Sequence, residues 1–477
     1  MVVIGGGING VAIAADAAGR GLSVLLCEQA DLACATSSAS SKLIHGGLRY
    51  LEQYDFSLVR ESLKEREILL RLAPHLVHPI RFIVPYDQQR RPFWFIRLGL
   101  YCYDLLSGHL QRSQTITFKN DALNPLKPTL KRGFSYSDCT VDDARLVVIT
   151  ALRAANNGAQ IRTRTQCIAA KRGEEYWQVT LQNTVTQQPE VIHAKALINA
   201  TGPWVEHVIQ NVLHANSRYT IRLVKGSHIV VPQLYPGKHA YLLQHADGRV
   251  IFVIPYLQQF TMIGTTDVNY QGDPFAAKID PTEITYLCQL VSDYFKKPLQ
   301  PSDVIYAWSG VRPLVDDQAK NASAINRGYK IQLITEQRLP LMNIFGGKLT
   351  THRILAEKAV NALIPFFPHG GKAWSARGFL PGGDKQNILE DFPWLPKALA
   401  ERYAHSYGSL TYMLLENCTQ LSDLGTHFGQ GLYEKEITYL IKHEWAQTAE
   451  DILWRRTKMG LFLSPSEIQH FSLKYTG

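Results

Sequence analysis

The 477-residue sequence lacks several features that would place it in a specialised class of protein. It has no run of about 18 or more apolar residues, which excludes a bilayer-spanning helix, and no recognisable signal peptide. Its seven cysteines are scattered without a CxxC pair or zinc-ligand spacing, so we expect reduced thiols in the cytosol and no metal site. Because the first strand starts at Val2, we expect a few residues to precede it in the full protein.

The sequence also lacks any block of Lys and Arg long enough to predict a nucleic-acid site, although its net charge is +9. A pI near 9.0 still indicates an anionic partner. Acidic substrates and an anionic membrane surface are the two classes that remain, and any membrane contact must be peripheral. At about 150 residues per domain, the length predicts roughly three domains.

A glycine-rich turn stands almost at the start of the chain, directly after the apolar strand at residues 2–4. Gly5 is placed for the tight turn, Gly7 for close approach to a pyrophosphate, and Gly10 for packing of the following helix against the strand. The helix N-terminus supplies unpaired N–H groups and a favourable dipole for phosphate. Glu28 ends the second apolar strand, where a carboxylate accepts from a ribose hydroxyl. Together these residues predict a dinucleotide-binding βαβ unit.

The nucleotide fold is predicted to be discontinuous, because its later pieces return far along the chain. A helix beginning at 141–148, a strand at 196–199 and the segment 345–351 complete it. We assign residues 1–75, 138–215 and 336–380 to this domain. Strands at 227–231 and 250–254 are bounded by Pro and Gly, so residues 76–137 and 216–335 form a β-rich substrate domain.

Residues 381–477 are predicted to form a separate helical domain. The evidence is a helically spaced apolar stripe that should face the core, formed by Ile437, Leu440, Ile441, Trp445 and Ile452. The predicted fold class is therefore mixed α/β and α+β: a discontinuous Rossmann-like domain, a β-rich domain and a helical C-terminal domain.

Two features favour FAD over NAD as the dinucleotide. A fingerprint at the extreme N-terminus, with the rest of the fold returning hundreds of residues later, suits a long cofactor that crosses the whole domain. The loop at 36–47 is rich in Ser and Thr and can supply hydroxyl and backbone donors to the second half of such a ligand. The alternative for this loop is a solvated polar segment, as clusters of Ser usually are.

At this point the sequence resembles a known family along nearly its whole length. The segments at 36–52, 225–231, 263–267, 309–314, 346–351, 443–445 and 453–458 are similar to those of FAD-dependent, quinone-linked glycerol-3-phosphate dehydrogenases of the aerobic bacterial type. That group lies within the D-amino-acid-oxidase-like flavoproteins. One departure is His352, between Thr351 and Arg353, where the family pattern has Tyr.

The resemblance implies non-covalently bound FAD and a set of residues that contact it. These cofactor residues come from the glycine turn, the Ser/Thr loop, the turn after 196–199 and the segment after Gly347: Gly5, Gly7, Asn9, Gly10, Glu28, Thr36, Ser37, Ser41, Lys42, Leu43, His45, Gly46, Ala200, Gly202, Lys348, Leu349 and Thr350. Lys348 and the N–H groups of Leu349 and Thr350 are candidates to stabilise the reduced flavin.

The implied substrate, sn-glycerol 3-phosphate, needs cations for its phosphate and a base for its secondary alcohol. Guanidinium groups bind phosphate through two parallel hydrogen bonds, and an ammonium adds a point charge. Arg49, Arg312, Arg327 and Lys348 supply this set, and Tyr50 can donate to a substrate oxygen. For each arginine, the alternative is a surface ion pair.

The proton acceptor is predicted to be a histidine, because its pKa suits proton transfer near neutral pH. His228 is the first choice and His45, in the flavin loop, the second; a buried structural histidine is the alternative for His228. Asp267 is expected to orient the base or the substrate hydroxyl, or else to cap a turn. The identity of the acceptor stays open.

The resemblance further implies ubiquinone or menaquinone as electron acceptor and peripheral attachment to the cytoplasmic side of the inner membrane. The stretch 90–101 mixes cations with aromatic residues, as an interfacial segment does, although aromatic stripes are also typical of buried cores. Homodimer formation is left open. The alternatives to a dehydrogenase are a glycerol-3-phosphate oxidase that uses O2, another FAD-dependent oxidoreductase of this fold, and a non-catalytic flavin-binding module.

Overall fold

The computed structural model describes residues 1–47, 56–86, 92–106, 110–119, 124–245, 249–316 and 328–475. Its strands, in chain order, are β1 (Val2–Ile4), β2 (Leu25–Cys27), β3 (Leu43–Ile44), β4 (Val77–Pro85), β5 (Gln114–Thr117), β6 (Arg132–Val141), β7 (Gln160–Arg162), β8 (Thr165–Arg172), β9 (Trp177–Asn183), β10 (Pro189–Ala194), β11 (Leu197–Asn199), β12 (Ile221–Pro232), β13 (Ala240–Gln244), β14 (Val250–Tyr256), β15 (Phe260–Gly264), β16 (Val268–Asn269), β17 (Tyr306–Val315), β18 (Tyr329–Ile334) and β19 (Leu341–Gly346).

The α-helices are α1 (Ile8–Gly19), α2 (Phe56–Leu72), α3 (Phe93–Leu106), α4 (Asp143–Asn156), α5 (Val205–Asn211), α6 (Pro281–Tyr294), α7 (His352–Leu363), α8 (Ile388–Asp391), α9 (Lys397–Tyr407), α10 (Thr411–Leu414), α11 (Glu434–Glu444) and α12 (Pro465–Lys474). A π-helix spans Asp451–Arg456. Short 3-10 turns include Thr36–Ser38 and Gly202–Trp204. In the described residues no helix is both long and apolar enough to cross a membrane.

A six-stranded sheet forms the nucleotide-binding half, in the order β18-β19-β11-β1-β2-β7. All its neighbouring strands are parallel except β18, which pairs with β19 in the antiparallel sense. One face packs on α1, α4 and α7, and the other on α5 and the small sheet β10-β9-β8. The central strand β1 is buried on both faces, as the apolar run at residues 2–4 predicts.

A ten-stranded sheet forms the second half, with the path β16-β12-β15-β14-β13-β4-β6-β3; β17 pairs with β12, and β5 pairs with β6. One face packs against α2 and α3, and the other packs against α6. The two-residue strand β3 leads the Ser/Thr loop from the first half into this sheet, where Leu43 pairs with Thr140. The Ser/Thr loop therefore lies where the two sheets meet.

The C-terminal region is helical and has its own apolar core. The predicted stripe is only partly right. Ile437, Leu440 and Ile452 are buried, but the side chain of Ile441 is 44% exposed. α11 ends at Glu444, and the next residue, Trp445, takes a left-handed conformation at φ +58°, so the stripe does not continue along one helix to Ile452.

The mixed α/β class predicted from the sequence is confirmed. Predicted strands at 2–4, 196–199, 227–231 and 250–254 correspond to β1, β11, β12 and β14. The predicted domain limits stay a proposal. Two strands do not respect them: β18 precedes residue 336 but joins the six-stranded sheet, and β6 runs through residue 138.

Candidate active site

The glycine turn, defined as Gly5 to Gly10, joins β1 to α1. Gly5 has φ +109°, a left-handed conformation that favours glycine, and a Cβ there would lie 2.7 Å from Ala200 O. A Cβ on Gly10 would lie 1.9 Å from Gly5 O, so Gly10 lets the first turn of α1 close on the turn itself. At Gly7 a Cβ would meet only Ser37 Oγ, at 3.2 Å, because this residue faces a cavity.

Glu28, at the end of β2, ties the glycine turn to the next loop. Its Oε2 accepts from Gly6 N at 2.7 Å and its Oε1 from Ala30 N at 2.9 Å. Burial raises the pKa of Glu28 above its ordinary 4.5, although these two backbone donors act in the opposite direction. Glu28 also lines the cavity, and a carboxylate has acceptor capacity beyond two bonds. Its role toward a ribose hydroxyl stays a prediction.

The cavity has a volume of about 1150 Å³ and runs between the two sheets. That volume exceeds the upper end of common ligand pockets, roughly 1,000 Å³, and is suited to a ligand as large as a dinucleotide. Fourteen of the predicted cofactor residues line it: Gly5, Gly7, Asn9, Glu28, Thr36, Ser37, Ser41, Leu43, His45, Ala200, Gly202, Lys348, Leu349 and Thr350.

Hydroxyl groups of the Ser/Thr loop form hydrogen bonds that hold the loop in place. Thr36 Oγ1 donates to Val311 O at 2.6 Å, and Ser37 Oγ accepts from Ile8 N at 3.0 Å. Ser41 Oγ lies 2.9 Å from His228 Nε2. The loop is thus fixed to β17, α1 and β12 before any ligand binds.

Three predicted cofactor residues do not line the cavity. The Lys42 ammonium is buried against Asp143 Oδ1, at 2.7 Å, so its charge is used inside the protein. Gly46 N–H bonds Tyr103 Oη at 3.0 Å, and a Cβ on Gly46 would collide with Leu63 and Tyr103. Gly10 packs within the glycine turn. Lys42, Gly46 and Gly10 therefore stabilise the segments that line the cavity without lining it themselves.

A second part of the cavity wall is cationic; we call Arg312 and Lys348 the cationic wall. Arg312, on β17, donates from Nη1 to Asp267 Oδ1 at 2.5 Å and from Nη2 to Thr265 Oγ1 at 2.7 Å. All of these residues line the cavity. Asp267 therefore holds a guanidinium group in the structure. The predicted role of Asp267, to orient the base or the substrate hydroxyl, stays a prediction.

Lys348 lies in the loop between β19 and α7, followed by the cavity-lining residues Leu349 and Thr350. The preceding Gly346 and Gly347 have φ +72° and +107°. Asn9 Nδ2 donates to Gly346 O at 3.1 Å, which ties this loop to the first turn of α1. Asn9 thus joins the glycine turn to the cationic wall.

The two histidines predicted as proton acceptors differ in their position relative to the cavity. His228 is 1% exposed, stacks on Trp308 at 5.3 Å and does not line the cavity. Burial lowers its pKa well below 6.5, and the charges of Arg312 and Lys42 lower it further. His45 does line the cavity, with its ring edge-on to Phe252 at 6.2 Å. His228 meets the cavity only through Ser41.

Arg49, Tyr50 and Arg327 lie outside the described residues. Conversely, the cavity includes residues that sequence reasoning did not assign. Thr265 and Trp204 stand inside segments that had been singled out, so their motifs carried a signal. Thr165 and Cys167, at the start of β8, carried none, because only the pairing of β2 with β7 brings that strand to the cavity.

Comparison with known proteins identifies two regions of the chain. A profile described as FAD dependent oxidoreductase matches residues 1–351, and one described as the C-terminal domain of alpha-glycerophosphate oxidase matches residues 374–469. A glycerol-3-phosphate dehydrogenase of Pseudomonas aeruginosa is 52% identical over 98% of this chain and 93% of its own. A D-erythritol 1-phosphate dehydrogenase of Brucella abortus is 47% identical, over 98% and 95%.

Among solved structures, glycerol-3-phosphate dehydrogenase from Bacillus halodurans complexed with FAD superposes with a TM-score of 0.76. It is 25% identical in sequence, and the match covers 99% of this chain and 92% of that one. The similarity therefore includes both sheets and the helical C-terminal region.

Proposed function

The chain belongs to the FAD dependent oxidoreductase family, and from that premise we propose that it oxidises sn-glycerol 3-phosphate to dihydroxyacetone phosphate. The full-length similarity to a glycerol-3-phosphate dehydrogenase supports the substrate. The observation that carries the proposal is the cationic wall, where Arg312 and Lys348 line the same cavity as the glycine turn.

The residues of the cavity fit FAD. Gly7 has no side chain, so the backbone at the start of α1 is accessible to a pyrophosphate, which the N-terminus of that helix favours. Glu28 and the Ser/Thr loop form the wall on either side. Bound FAD supplies the two-electron acceptor that takes hydride from C2 of the substrate.

The cationic wall would bind the phosphate. Arg312 is held by Asp267 and Thr265, so its guanidinium group is oriented before substrate arrives and loses little freedom on binding. Lys348 adds a second positive charge. The two side chains together bring positive charge to the cavity, which is what a phosphate near its dianionic form requires.

The hydroxyl proton of the substrate would pass to a histidine as hydride leaves. His45 lines the cavity and is the direct candidate. His228 is neutral near pH 7, given its lowered pKa, and reaches the cavity only through the Ser41 hydroxyl. A proton can move through that hydroxyl, because an O–H both donates and accepts.

A second substrate candidate is D-erythritol 1-phosphate, which the 47% identity to the Brucella enzyme supports. Both compounds combine a phosphate with a secondary alcohol. The test measures kcat/KM with an artificial electron acceptor for glycerol 3-phosphate, D-erythritol 1-phosphate and glycerol. We expect the highest kcat/KM with glycerol 3-phosphate and no activity with glycerol. A higher kcat/KM with D-erythritol 1-phosphate would identify that compound as the better substrate. Activity with glycerol would show that the phosphate is not needed for recognition.

We propose ubiquinone or menaquinone as the natural electron acceptor, with O2 as the alternative. The peroxide formed per turnover in air distinguishes them. A dehydrogenase yields little peroxide and turns over fast with a soluble quinone. An oxidase yields about one peroxide per substrate, since each two-electron oxidation reduces one O2.

We also propose peripheral attachment to the cytoplasmic side of the inner membrane, through helix α3. Its outer face exposes Trp94, Leu98, Tyr101 and Leu105, at 66%, 50%, 55% and 68%. Spacings of three and four residues put these side chains on one face, while Leu100 and Tyr103 are buried on the other. The apolar stretch is thus exposed here rather than in the core, and Arg90 and Arg91 lie outside the described residues.

A further inference from the structure

Two segments of the C-terminal region match the family pattern but have no role in the proposed reaction: residues 443–445 and 453–458. In the structure both pack against the nucleotide-binding half. We call residues 444–458 the C-terminal clamp. It contains the end of α11 and the π-helix Asp451–Arg456. Its charged side chains reach out of the C-terminal core, so their partners show what the clamp holds.

The main partner is Asp31, three residues after Glu28. Arg456 donates from Nη1 to Asp31 Oδ2 and from Nη2 to Asp31 Oδ1, both at 2.8 Å. Arg455 Nε adds a third bond to Oδ2 at 2.7 Å. Asp31 and Arg456 are each 1% exposed. This is a planar two-pronged ion pair shielded from water, in which one carboxylate takes both guanidinium groups.

The clamp has a second attachment at the start of α4. Lys458 Nζ donates to Asp142 Oδ1 at 2.5 Å, and Asp142 caps the helix by accepting from Arg145 N. Arg145 in turn forms a buried two-pronged pair with Glu444. The clamp thus fixes the first turn of α4.

That first turn supports the far end of the Ser/Thr loop. Asp143, next to the cap, accepts from Ser40 Oγ and from Lys42 Nζ, both at 2.7 Å. Segment 28–42 is therefore anchored near one end at Asp31, directly by the clamp, and near the other at Asp143, through α4. Between these anchors, residues 33–37 and 39–41 line the cavity, and Glu28 and Gln29 line it just before Asp31.

We propose that Arg455 and Arg456 are positioning residues for the cofactor: the C-terminal clamp holds segment 28–42 in the shape that retains FAD. The arginines touch Asp31 rather than the cavity wall at Glu28, so they act through the segment. Without Arg456, Asp31 loses its two-pronged partner and keeps the single bond from Arg455, with Arg164 at 3.9 Å. A buried carboxylate that loses part of its compensation is destabilised, so we expect segment 28–42 to rearrange and bring Asp31 closer to water. The inference rests on FAD as cofactor but not on the identity of the substrate.

The test measures the rate at which FAD leaves the purified holoenzyme, by the rise of flavin fluorescence after dilution, without substrate. Arg456→Ala is compared with Arg402→Ala. Arg402 forms a similar two-pronged pair with Glu436, at 2.6 Å for both bonds, but wholly inside the C-terminal region. We expect release to accelerate about tenfold or more in Arg456→Ala and less than twofold in Arg402→Ala, while both lower the melting temperature.

Two further variants keep the proposal testable if Arg456→Ala does not fold. Arg456→Lys retains the charge without the second prong, and we expect an intermediate release rate. Asp31→Asn removes the charge from the other side and should also accelerate release. Equal acceleration in Arg456→Ala and Arg402→Ala would mean a general loss of stability and overturn the proposal, as would unchanged release in both Arg456→Lys and Asp31→Asn.

Discussion

The glycine turn is built from residues close in sequence, whereas the cationic wall is assembled from segments far apart. Gly6 N donates to Glu28 and Ile8 N donates to Ser37, and both bonds join residues that are less than about 30 positions apart. Arg312 depends on Thr265 and Asp267 from another strand end, and His45 N bonds Thr350 Oγ1 across 305 residues. A local turn can be recognised from a short motif, but an assembled wall depends on the tertiary fold.

The difference also separates two functions. The glycine turn recognises a feature common to all dinucleotides, so it specifies the cofactor and not the reaction. In the proposed function, the cationic wall carries the charge that selects a phosphorylated substrate. Damage to the first should therefore remove FAD, and damage to the second should leave FAD bound but impair substrate use. The predictions below test this separation, from the largest expected effect to the smallest.

Gly7→Val should abolish FAD binding. A Cβ at Gly7 meets only Ser37 Oγ, so the chain still folds, but the added methyl groups occupy the space next to the pyrophosphate site. Flavin absorbance of the purified variant, with circular dichroism to check the fold, measures the effect. Gly99→Ala is the control, since a Cβ there meets nothing within 4 Å. A yellow, active Gly7→Val variant would contradict the assignment of the turn.

Arg312→Ala should lower kcat/KM for glycerol 3-phosphate by about 100- to 1000-fold, mainly through KM, and leave FAD content intact. The variant loses the guanidinium group and leaves the Asp267 carboxylate to repel phosphate. Arg222→Ala removes another Arg–Asp pair, with Asp316 at 2.9 Å, away from the cavity. Unchanged KM in Arg312→Ala would remove this residue from the phosphate site.

His45→Asn should lower kcat by about 100-fold, the usual contribution of a positioned base, and His228→Asn by less than about tenfold. The reason is that His45 lines the cavity and His228 stands behind Ser41. Because burial keeps the pKa of His228 well below its ordinary 6.5, its replacement should also leave the acid limb of the pH–rate profile in place. A larger loss of kcat in His228→Asn than in His45→Asn would identify His228, the first choice from the sequence, as the proton acceptor.

The membrane contact should be separable from both parts of the cavity. Replacing Trp94 and Leu105 by Ser should weaken binding to anionic vesicles by about tenfold, because apolar surface is no longer buried in lipid. FAD content and KM should not change. Cosedimentation with phosphatidylglycerol vesicles measures this, and the matched control replaces Val185 and Val191, which are 65% and 58% exposed in another region. An equal loss of vesicle binding in the control would mean that α3 is not the membrane-binding surface.

The buried side chains of His228 and Glu28 should have opposite effects on the free energy of unfolding as pH changes. Folded His228 has a pKa well below 6.5, so the unfolded chain alone takes up its proton and stability falls as pH drops below 6.5. Folded Glu28 has a pKa above 4.5, so its contribution is present below pH 4.5 and is lost as pH rises through the folded value.

Replacing either residue by Gln should remove its slope, up to about 1.4 kcal/mol per pH unit. Thermal unfolding between about pH 4 and pH 8 measures both slopes. Parallel pH profiles for His228→Gln and wild type would contradict the burial of a neutral ring, and the same result for Glu28→Gln would contradict the burial of its carboxyl.

Much of the fold could be predicted from the sequence, because the glycine turn, the parallel core strands and the helical C-terminal region leave periodic or positional signals. Most predicted cofactor residues also line the cavity. Where the structure adds what the sequence could not show, the cause is a contact between distant segments. Lys42 was predicted as a cofactor contact, and in the structure Asp143, about 100 residues later, engages its charge. His228 was the first choice for the proton acceptor because its pKa class suits proton transfer near neutral pH, and only the tertiary fold brings its Nε2 to 2.9 Å from Ser41 Oγ.

The central claim is that bound flavin and the cationic wall act on one phosphorylated polyol. Anaerobic addition of glycerol 3-phosphate to the purified holoenzyme tests it most directly, and the readout is the flavin absorbance band at about 450 nm. We predict that the band bleaches with one equivalent of glycerol 3-phosphate and does not change with glycerol or lactate. A holoenzyme whose flavin stays oxidised with glycerol 3-phosphate, or bleaches equally with glycerol, would contradict the account.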